Sequence, residues 1–343
     1  MKLIKTTEAA GHVLCHDITR IVKDVVKDTA FRKGHIVTKE DIPELLKLGK
    51  DNLYVWEKDE SMLHEDEAAG ILRDICINEH MKAGSPKEGK IELTATNDGL
   101  FQIDVERLAA VNEIEEIMIA SRHTNTAVKA GDKLLGTRII PLVIAREKME
   151  LVKAAAGKKP LARIMPYQLK KAGIITTGNE VFFGRIQDTF TPVVKEKLQR
   201  FGIETTEHIT LNDDKDKIAG AILELKAKGV DLITVTGGMS VDPDDQTPGA
   251  IKASGAHIVT YGAPVLPGAM FLLAYFDDGT PVCGLPGCVM YNRTTVFDIV
   301  LPRIAAGVIM SKKDFACMGN GGFCLGCPAC IFPNCGYGKG TPV

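Results

Sequence analysis

Three short stretches combine glycines, hydroxyls and carboxylates in a pattern suited to holding an anion. Thr176-Thr177-Gly178-Asn179-Glu180 continues to Gly184 and Asp188. Thr236-Gly237-Gly238-Met239-Ser240 continues through Asp242-Pro243-Asp244-Asp245, and Leu285-Pro286-Gly287-Cys288 is the third. Glycine lets the backbone come close to a phosphate, and N–H groups in such a loop and at the next helix start can bind it. The hydroxyls of Thr177 and Ser240 can add hydrogen bonds. Carboxylates alone repel a phosphate, so a bridging Mg²⁺ on Asp242, Asp244 and Asp245 is expected. Any one of these loops equally suits a tight turn with an Asx or Ser helix cap. Three of them, each ending a strand, point to a site.

The last 27 residues hold five of the nine cysteines, Cys317, Cys324, Cys327, Cys330 and Cys335, spaced C-x6-C-x2-C-x2-C-x4-C. The C-x2-C-x2-C core approaches a ferredoxin run, although the fourth spacing departs from it. Four thiolates equally satisfy a structural zinc. Cys324, Cys327, Cys330 and Cys335 are therefore candidate ligands for an iron–sulfur cluster or Zn²⁺, and the spacing leaves both open. Few apolar residues accompany them.

The elements that must position these residues follow from the pattern. Residues 1–58 read as a small α+β unit, with strand-like LCHDITRIV, a turn over 31–34, a helix in TKEDIPELLKLGK and a strand in NLYVWE. Thr38 is the expected N-cap of that helix, Pro43 lies in its first turn, and Gly49 stops it. Residues 59–170 combine a helix in EDEAAGILRDIC with short β-like runs and glycine turns, a β-rich middle domain. From Lys171 strand and helix alternate. AGIITTG, IETTEHITL and DLITVTGG read as strands, and TPVVKEKLQRFG and DDKDKIAGAILELKAKG as helices. MFLLAYF and PVCGLPG should pair through a turn in DDGT, and VMYNRTTVFDIVLPRIAAG should close the domain as a helix. Repeated βα units predict an α/β fold, a mainly parallel three-layer sheet domain over 171–310, followed by the Cys-rich tail 311–343. In such sheets ligands bind beyond the carboxyl ends of the strands.

Bulk composition narrows the function. The 343 residues are 45% hydrophobic and 25% charged, with 42 basic and 44 acidic side chains. That balance speaks against nucleic acid as the main partner. The first residues lack the apolar core of a signal peptide, and no apolar run approaches the roughly 20 residues of a membrane helix. A cytoplasmic protein that neither spans nor docks on a membrane is expected.

Residues 171–306 resemble the molybdopterin-binding domain shared by molybdopterin molybdenumtransferases and molybdopterin adenylyltransferases. The resemblance rests on five ordered stretches: TGNE (177–180), GRIQD (184–188), GGMSVDPDD (237–245), PGAM (267–270) and LPGC (285–288). It covers about 40% of the chain. EAAGHVLCHDI, near the N-terminus, resembles the opening element of the transferases' extra domains. The resemblance implies acidic catalytic positions at Glu180, Asp188 and Asp245. It implies ligand-binding positions at Thr177, Gly178, Asn179, Gly184, Thr236, Gly237, Gly238, Ser240, Pro267, Gly268, Pro286 and Gly287. The chain departs from the pattern where Asn179 replaces an Asp, Phe190 an Asn, Asp242 a Gly, Ala269 a Lys and Cys288 an Asn. The implied chemistry is hydrolysis of an adenylylated molybdopterin at its pyrophosphate, with capture of molybdate by the two dithiolene sulfurs. Mg²⁺ would neutralise the phosphates. The implied alternatives are an adenylyltransferase and a non-catalytic carrier that delivers the cofactor to a recipient molybdenum enzyme. A homo-oligomer is expected.

Overall fold

The computed structural model describes residues 2–22, 26–55, 60–240, 242 and 245–340. The chain forms two compact units. One contains Met1–Ala95, Asp104–Arg122 and Gly131–Arg163, and the other Thr96–Ile103, His123–Ala130 and Ile164–Val343. None of the described helices is long and apolar enough to cross a membrane.

The second unit is built on a six-stranded sheet. Its strands are β1 (Lys171–Thr177), β2 (Glu204–Leu211), β3 (Leu232–Thr236), β4 (His257–Tyr261), β5 (Leu272–Tyr275) and β6 (Pro281–Leu285). The order across the sheet is β2-β1-β3-β6-β5-β4. The pairings β2–β1, β1–β3 and β3–β6 are parallel, whereas β6–β5 and β5–β4 are antiparallel. The sheet is therefore mixed. Strands β3, β5 and β6 are buried along their whole length, as unbroken apolar runs require. The edge strand β2 alternates between exposed and half-buried positions over its first half and is polar from Glu204 through His208.

Alternate side chains of each inner strand enter two cores. Ala172, Ile174, Leu232, Leu273 and Leu285 pack with α2 (Phe190–Gln199) and α5 (Val296–Ala305). Ile175, Ile233, Val235, Leu272 and Val282 pack with α3 (Lys215–Ala227) and α4 (Thr247–Ala253). A short helix, α1 (Asn179–Phe182), follows β1, and α6 (Lys312–Cys317) follows α5. Asp214 caps α3 by accepting from the N–H groups of Asp216 and Lys217. The closing helix begins later than the sequence suggests. Thr295 and Asp298 form a reciprocal capping box that starts α5 at Val296 and leaves residues 290–295 outside it. Met310, Phe315, Met318 and Tyr337 join the α2–α5 core, so the segment after α5 contributes to the packing of this unit.

A buried ion pair fixes the approach of α2 to α5. Lys197 Nζ lies 2.6 and 2.8 Å from the two oxygens of Asp298, and it donates to the carbonyl of Arg293 at 3.2 Å. Removing one partner would strand the other charge, a loss of about 3–5 kcal/mol.

In the first unit Lys2–Lys5 pairs with Asn52–Val55, and Ile18–Val22 with Val26–Phe31. A four-stranded sheet has the order Met81–Ala83, Lys90–Ala95, Lys133–Ile139 and Ile117–Ser121. Helices Asp41–Lys47, Glu65–Cys76, Val105–Asn112 and Arg146–Ala156 complete it. The first of these starts three residues after Thr38, with Glu40 rather than Thr38 at its N-cap and no side-chain cap bond. The Asp41 carboxylate accepts from the Thr38 N–H at 2.8 Å. The expected strand NLYVWE is seen over Asn52–Val55, and Trp56 and Glu57 lie outside the described residues.

Candidate functional site

Register brings four of the five sequence motifs to one edge of the six-stranded sheet, and the fifth, GRIQD, joins β1 through the Asp188–Thr176 hydrogen bond. Thr177 pairs with Leu211, Thr176 with Thr236, and Thr236 with Leu285. Gly284 then pairs with Leu272, and Leu272 with Tyr261. The parallel strands therefore end together, and the antiparallel β5 begins beside the end of β6. That reversal is why Pro267-Gly268, which precedes a strand, reaches the same edge as the loops that follow strands.

The Gly237-Gly238 turn is forced by its surroundings. Both residues have positive φ, +88° and +55°. A Cβ on Gly237 would lie 2.3 Å from the Thr177 carbonyl oxygen, a clash with backbone that no side-chain shift relieves. Thr247 Oγ1 donates to the Gly237 carbonyl at 2.8 Å, tying the loop to α4. The Tyr261 hydroxyl lies 3.0 Å from the Met239 carbonyl and 3.2 Å from that of Ser240. Ser240 itself is exposed. The Thr177 hydroxyl is buried without a hydrogen-bond partner. Thr236, by contrast, directs its hydroxyl to the Ile175 carbonyl at 3.4 Å.

The acidic residues separate into two groups. Asp188 is enclosed by donors. Its Oδ1 accepts from the N–H groups of Phe190 and Thr191 at 2.8 and 3.0 Å, and its Oδ2 from the hydroxyls of Thr176 and Thr191 at 3.0 and 2.5 Å. Burial pushes its carboxyl upward, but these bonds from Thr191, Thr176 and Phe190 outweigh burial and hold it below the ordinary carboxylate range. His208 Nε2 stands 3.0 Å from Thr176 Oγ1 and 3.1 Å from Thr191 Oγ1. Burial lowers its basicity against the opposing charge of Asp188. Asp188 thus anchors the start of α2 to β1.

The second group faces the loops. Glu180 is exposed at the start of α1, and Asp242 is exposed. Asp245 accepts from the Asp242 N–H at 3.1 Å, and its own N–H donates to the Asp242 carbonyl at 3.0 Å. Asp213 joins them from the end of β2, although the sequence pattern places it only at a helix start. It accepts from the Asn179 N–H at 2.9 Å. Burial raises its pKa first, and the negative charges of Glu180 and Asp245 raise it further against that bond. The Thr177 hydroxyl lies close enough to favour the charged form of Asp213, short of hydrogen-bonding geometry. This shift reports that Asp213, Glu180 and Asp245 share one electrostatic neighbourhood, although their carboxylates do not converge within 4.8 Å of one another. Asp244 lies outside the described residues.

Around Pro286-Gly287 a single 3-10 turn spans Gly287–Val289. The space beside Gly287 is open. The N–H and side-chain amide of Asn292 both donate to the Cys288 carbonyl, at 3.0 and 3.2 Å. Pro267 accepts from the Val296 N–H at 3.2 Å and the Tyr337 hydroxyl at 3.1 Å. Gly184 lies beyond α1, where its N–H donates to the Val181 carbonyl.

The tail cysteines Cys324, Cys327, Cys330 and Cys335 line one cavity of about 540 Å³ together with Pro267 and Arg293. Among the described residues, the only His, Cys, Asp or Glu trio with ligand atoms within 4.8 Å of one another is His64, Glu65 and Asp66. That trio is a helix cap. His64 Nδ1 accepts from the Asp66 N–H at 3.2 Å, and its Nε2 stands 2.7 Å from the Cys15 carbonyl.

Residues 173–306 match the family model described as a probable molybdopterin binding domain, and residues 3–57 match a domain of unknown function. A CinA-like protein of Desulfosudis oleivorans is 41% identical over 80 residues, 23% of this chain and 19% of that protein. A molybdopterin molybdenumtransferase of Synechococcus elongatus is 26% identical over 196 residues, 54% of this chain and 46% of that protein. Among solved structures, the molybdopterin biosynthesis enzyme MoaB of Thermus thermophilus shares 22% identity over 39% of this chain and 91% of that one, with a TM-score of 0.33. The chain spans about a fifth of the CinA-like relative and less than half of the molybdenumtransferase. Residues 173–306 thus form a domain of the molybdopterin-binding superfamily.

Proposed function

We propose that the chain binds molybdopterin, adenylylated at its phosphate, and inserts molybdate into it. The observation that supports this most is the convergence of four loop motifs on one sheet edge, beside the buried, unpartnered Thr177 hydroxyl. A buried hydroxyl without a partner is costly unless a ligand supplies one. The N–H groups of the Gly237-Gly238 and Gly287 loops, with the Thr177 and Ser240 hydroxyls, would hold the phosphates. Thr236, Gly178, Asn179, Gly268 and Pro286 shape the loops around them. Asp213, Glu180 and Asp245, with Asp242 nearby, stand too far apart to form a closed cation site by themselves and would draw together on Mg²⁺ shared with the phosphates, whose charge it neutralises. Glu180, exposed at the edge, would orient the water that attacks the pyrophosphate. AMP leaves, the terminal phosphate stays on molybdopterin, and the two dithiolene thiols bind molybdenum as one molybdate oxygen departs as water.

The absence of a lysine at Ala269 supports a second reading, a carrier that binds the pterin and passes it to a molybdenum enzyme. One experiment separates the two. The purified protein is mixed with adenylylated molybdopterin, Mg²⁺ and molybdate. AMP release in step with molybdenum incorporation is expected. Tight binding with no AMP supports the carrier, and consumption of ATP with unmodified molybdopterin would mark an adenylyltransferase. Failure to bind either pterin would remove the site.

A further inference from the structure

We propose that Cys324, Cys327, Cys330 and Cys335 hold a four-iron iron–sulfur cluster in the cavity they line. The four thiols surround a space of about 540 Å³ bounded also by Arg293, Phe323 and Phe332. A mononuclear zinc site needs something different. With Zn–S bonds of about 2.3 Å and tetrahedral geometry, its sulfurs must stand about 3.8 Å apart. Among the described residues no three of these sulfurs come within 4.8 Å of one another. A cluster places its own iron and sulfide between the thiolates, so it takes ligands spread around a cavity.

The local chain supplies a second reason. Over residues 319–340 no helix or strand forms, and the one β-bridge here joins Phe323 to Leu266. Cys327 and Cys330 are exposed, and so are Phe323, Leu325 and Ile331. Tyr337 alone of this stretch is a buried hydrophobic member of the core. An irregular segment with so little burial carries an ordering cost that a shared inorganic core would offset by cross-linking it. The backbone is nevertheless docked. Leu266 donates to the Gly322 carbonyl at 2.8 Å, and Cys324 donates to the Leu266 carbonyl at 2.9 Å. Thr294 Oγ1 lies 3.5 Å from Cys330 Sγ, and Arg293 beside it complements the net negative charge of a thiolate-ligated cluster. This inference does not rest on the pterin reading.

The full chain is purified without oxygen and reconstituted with equal ferrous and ferric iron and with sulfide. About four iron and about four acid-labile sulfide per chain are expected, with broad visible absorption that dithionite bleaches. The double variant Cys327→Ser/Cys330→Ser should lose at least tenfold of that iron. Cys317→Ser should keep it, since Cys317 does not line the cavity. Calorimetric unfolding of each apo-protein shows whether the double variant folds. If it does not, Cys335→Ser replaces it in the same comparison. One zinc per chain without sulfide would overturn the proposal. So would no bound metal, or full cluster content in a folded ligand variant.

Discussion

At the residue scale the most informative side chain is Asp213. Its pKa is raised by burial and by Glu180 and Asp245, so folding disfavours its charged form relative to the unfolded chain. The sign follows from linkage. Its contribution to stability is present below the ordinary carboxylate pKa and is lost as pH rises through the raised one. At neutral pH the charged group therefore costs stability, which a divalent cation would return. Asp213→Asn keeps an oxygen for the Asn179 N–H and removes the charge. Without Mg²⁺ at neutral pH, the variant should melt at a higher temperature than the parent, and its Mg²⁺-dependent rise in Tm should shrink. A variant that melts at or below the parent, or that keeps the full Mg²⁺ response, would show that no such carboxylate set exists. Asp213 is illegible as a site residue in the sequence because Asp213-Asp214 reads locally as a helix start, and Asp214 is indeed the cap. Only the parallel pairing of β2 with β1 carries its neighbour to the loops. Asp188 shows the converse. Its position in the motif is visible in the sequence, but four donors around its oxygens are visible only in the fold.

At the element scale, regular patterns are legible and their ends are not. The apolar runs of β3, β5 and β6 and the helical spacing of α3 are local properties, so they survive without tertiary knowledge. The closing helix reads too long because 290–295 are compatible with helix. The capping box of Thr295 and Asp298 decides otherwise, and the buried Lys197 makes that aspartate indispensable. In the first unit, helix Glu65–Cys76 carries a similar conflict at its start. A helix N-terminus favours a charged Glu65. Burial and the neighbouring Asp66 nevertheless raise its pKa to about 7. Half-burial on the flank of the first turn, together with the Asp66 charge, outweighs the helix terminus. A raised carboxyl pKa means stability present below about 4.5 and lost as pH climbs through about 7. Glu65→Gln should therefore raise Tm relative to the parent above pH 7, and the gap should close near pH 4.5. Parallel Tm–pH curves for the two proteins across that window would contradict the burial of this carboxylate.

At the scale of the whole molecule, two units own separate cores. Leu14, Ile18, Phe31, Leu45 and Leu53 pack in the first, and the clusters around the six-stranded sheet lie in the second. The sequence shows the change of grammar near Lys171, because alternation of strand and helix is local. It does not show that Thr96–Ile103 and His123–Ala130 belong with the later unit. Those segments carry ordinary strand patterns, and only pairing assigns them, Thr126–Val128 with Gly99–Ile103 and that strand in turn with Ala162–Met165. Two cores imply unfolding that departs from a single two-state transition. A ligand bound by one unit stabilises that unit alone, by about 2.7 kcal/mol at a hundredfold excess over its Kd. Scanning calorimetry of the full chain should resolve two transitions, and saturating adenylylated molybdopterin should move one of them upward. Gly238→Val should abolish that shift, since its backbone already sits at φ +55° with Thr247 Oγ1 at 3.0 Å from any added Cβ. The other transition should stay where it is in parent and variant. A shift of both transitions by the pterin would place ligand contacts in both units, and a shift that survives in Gly238→Val would take the glycine loop out of the binding site.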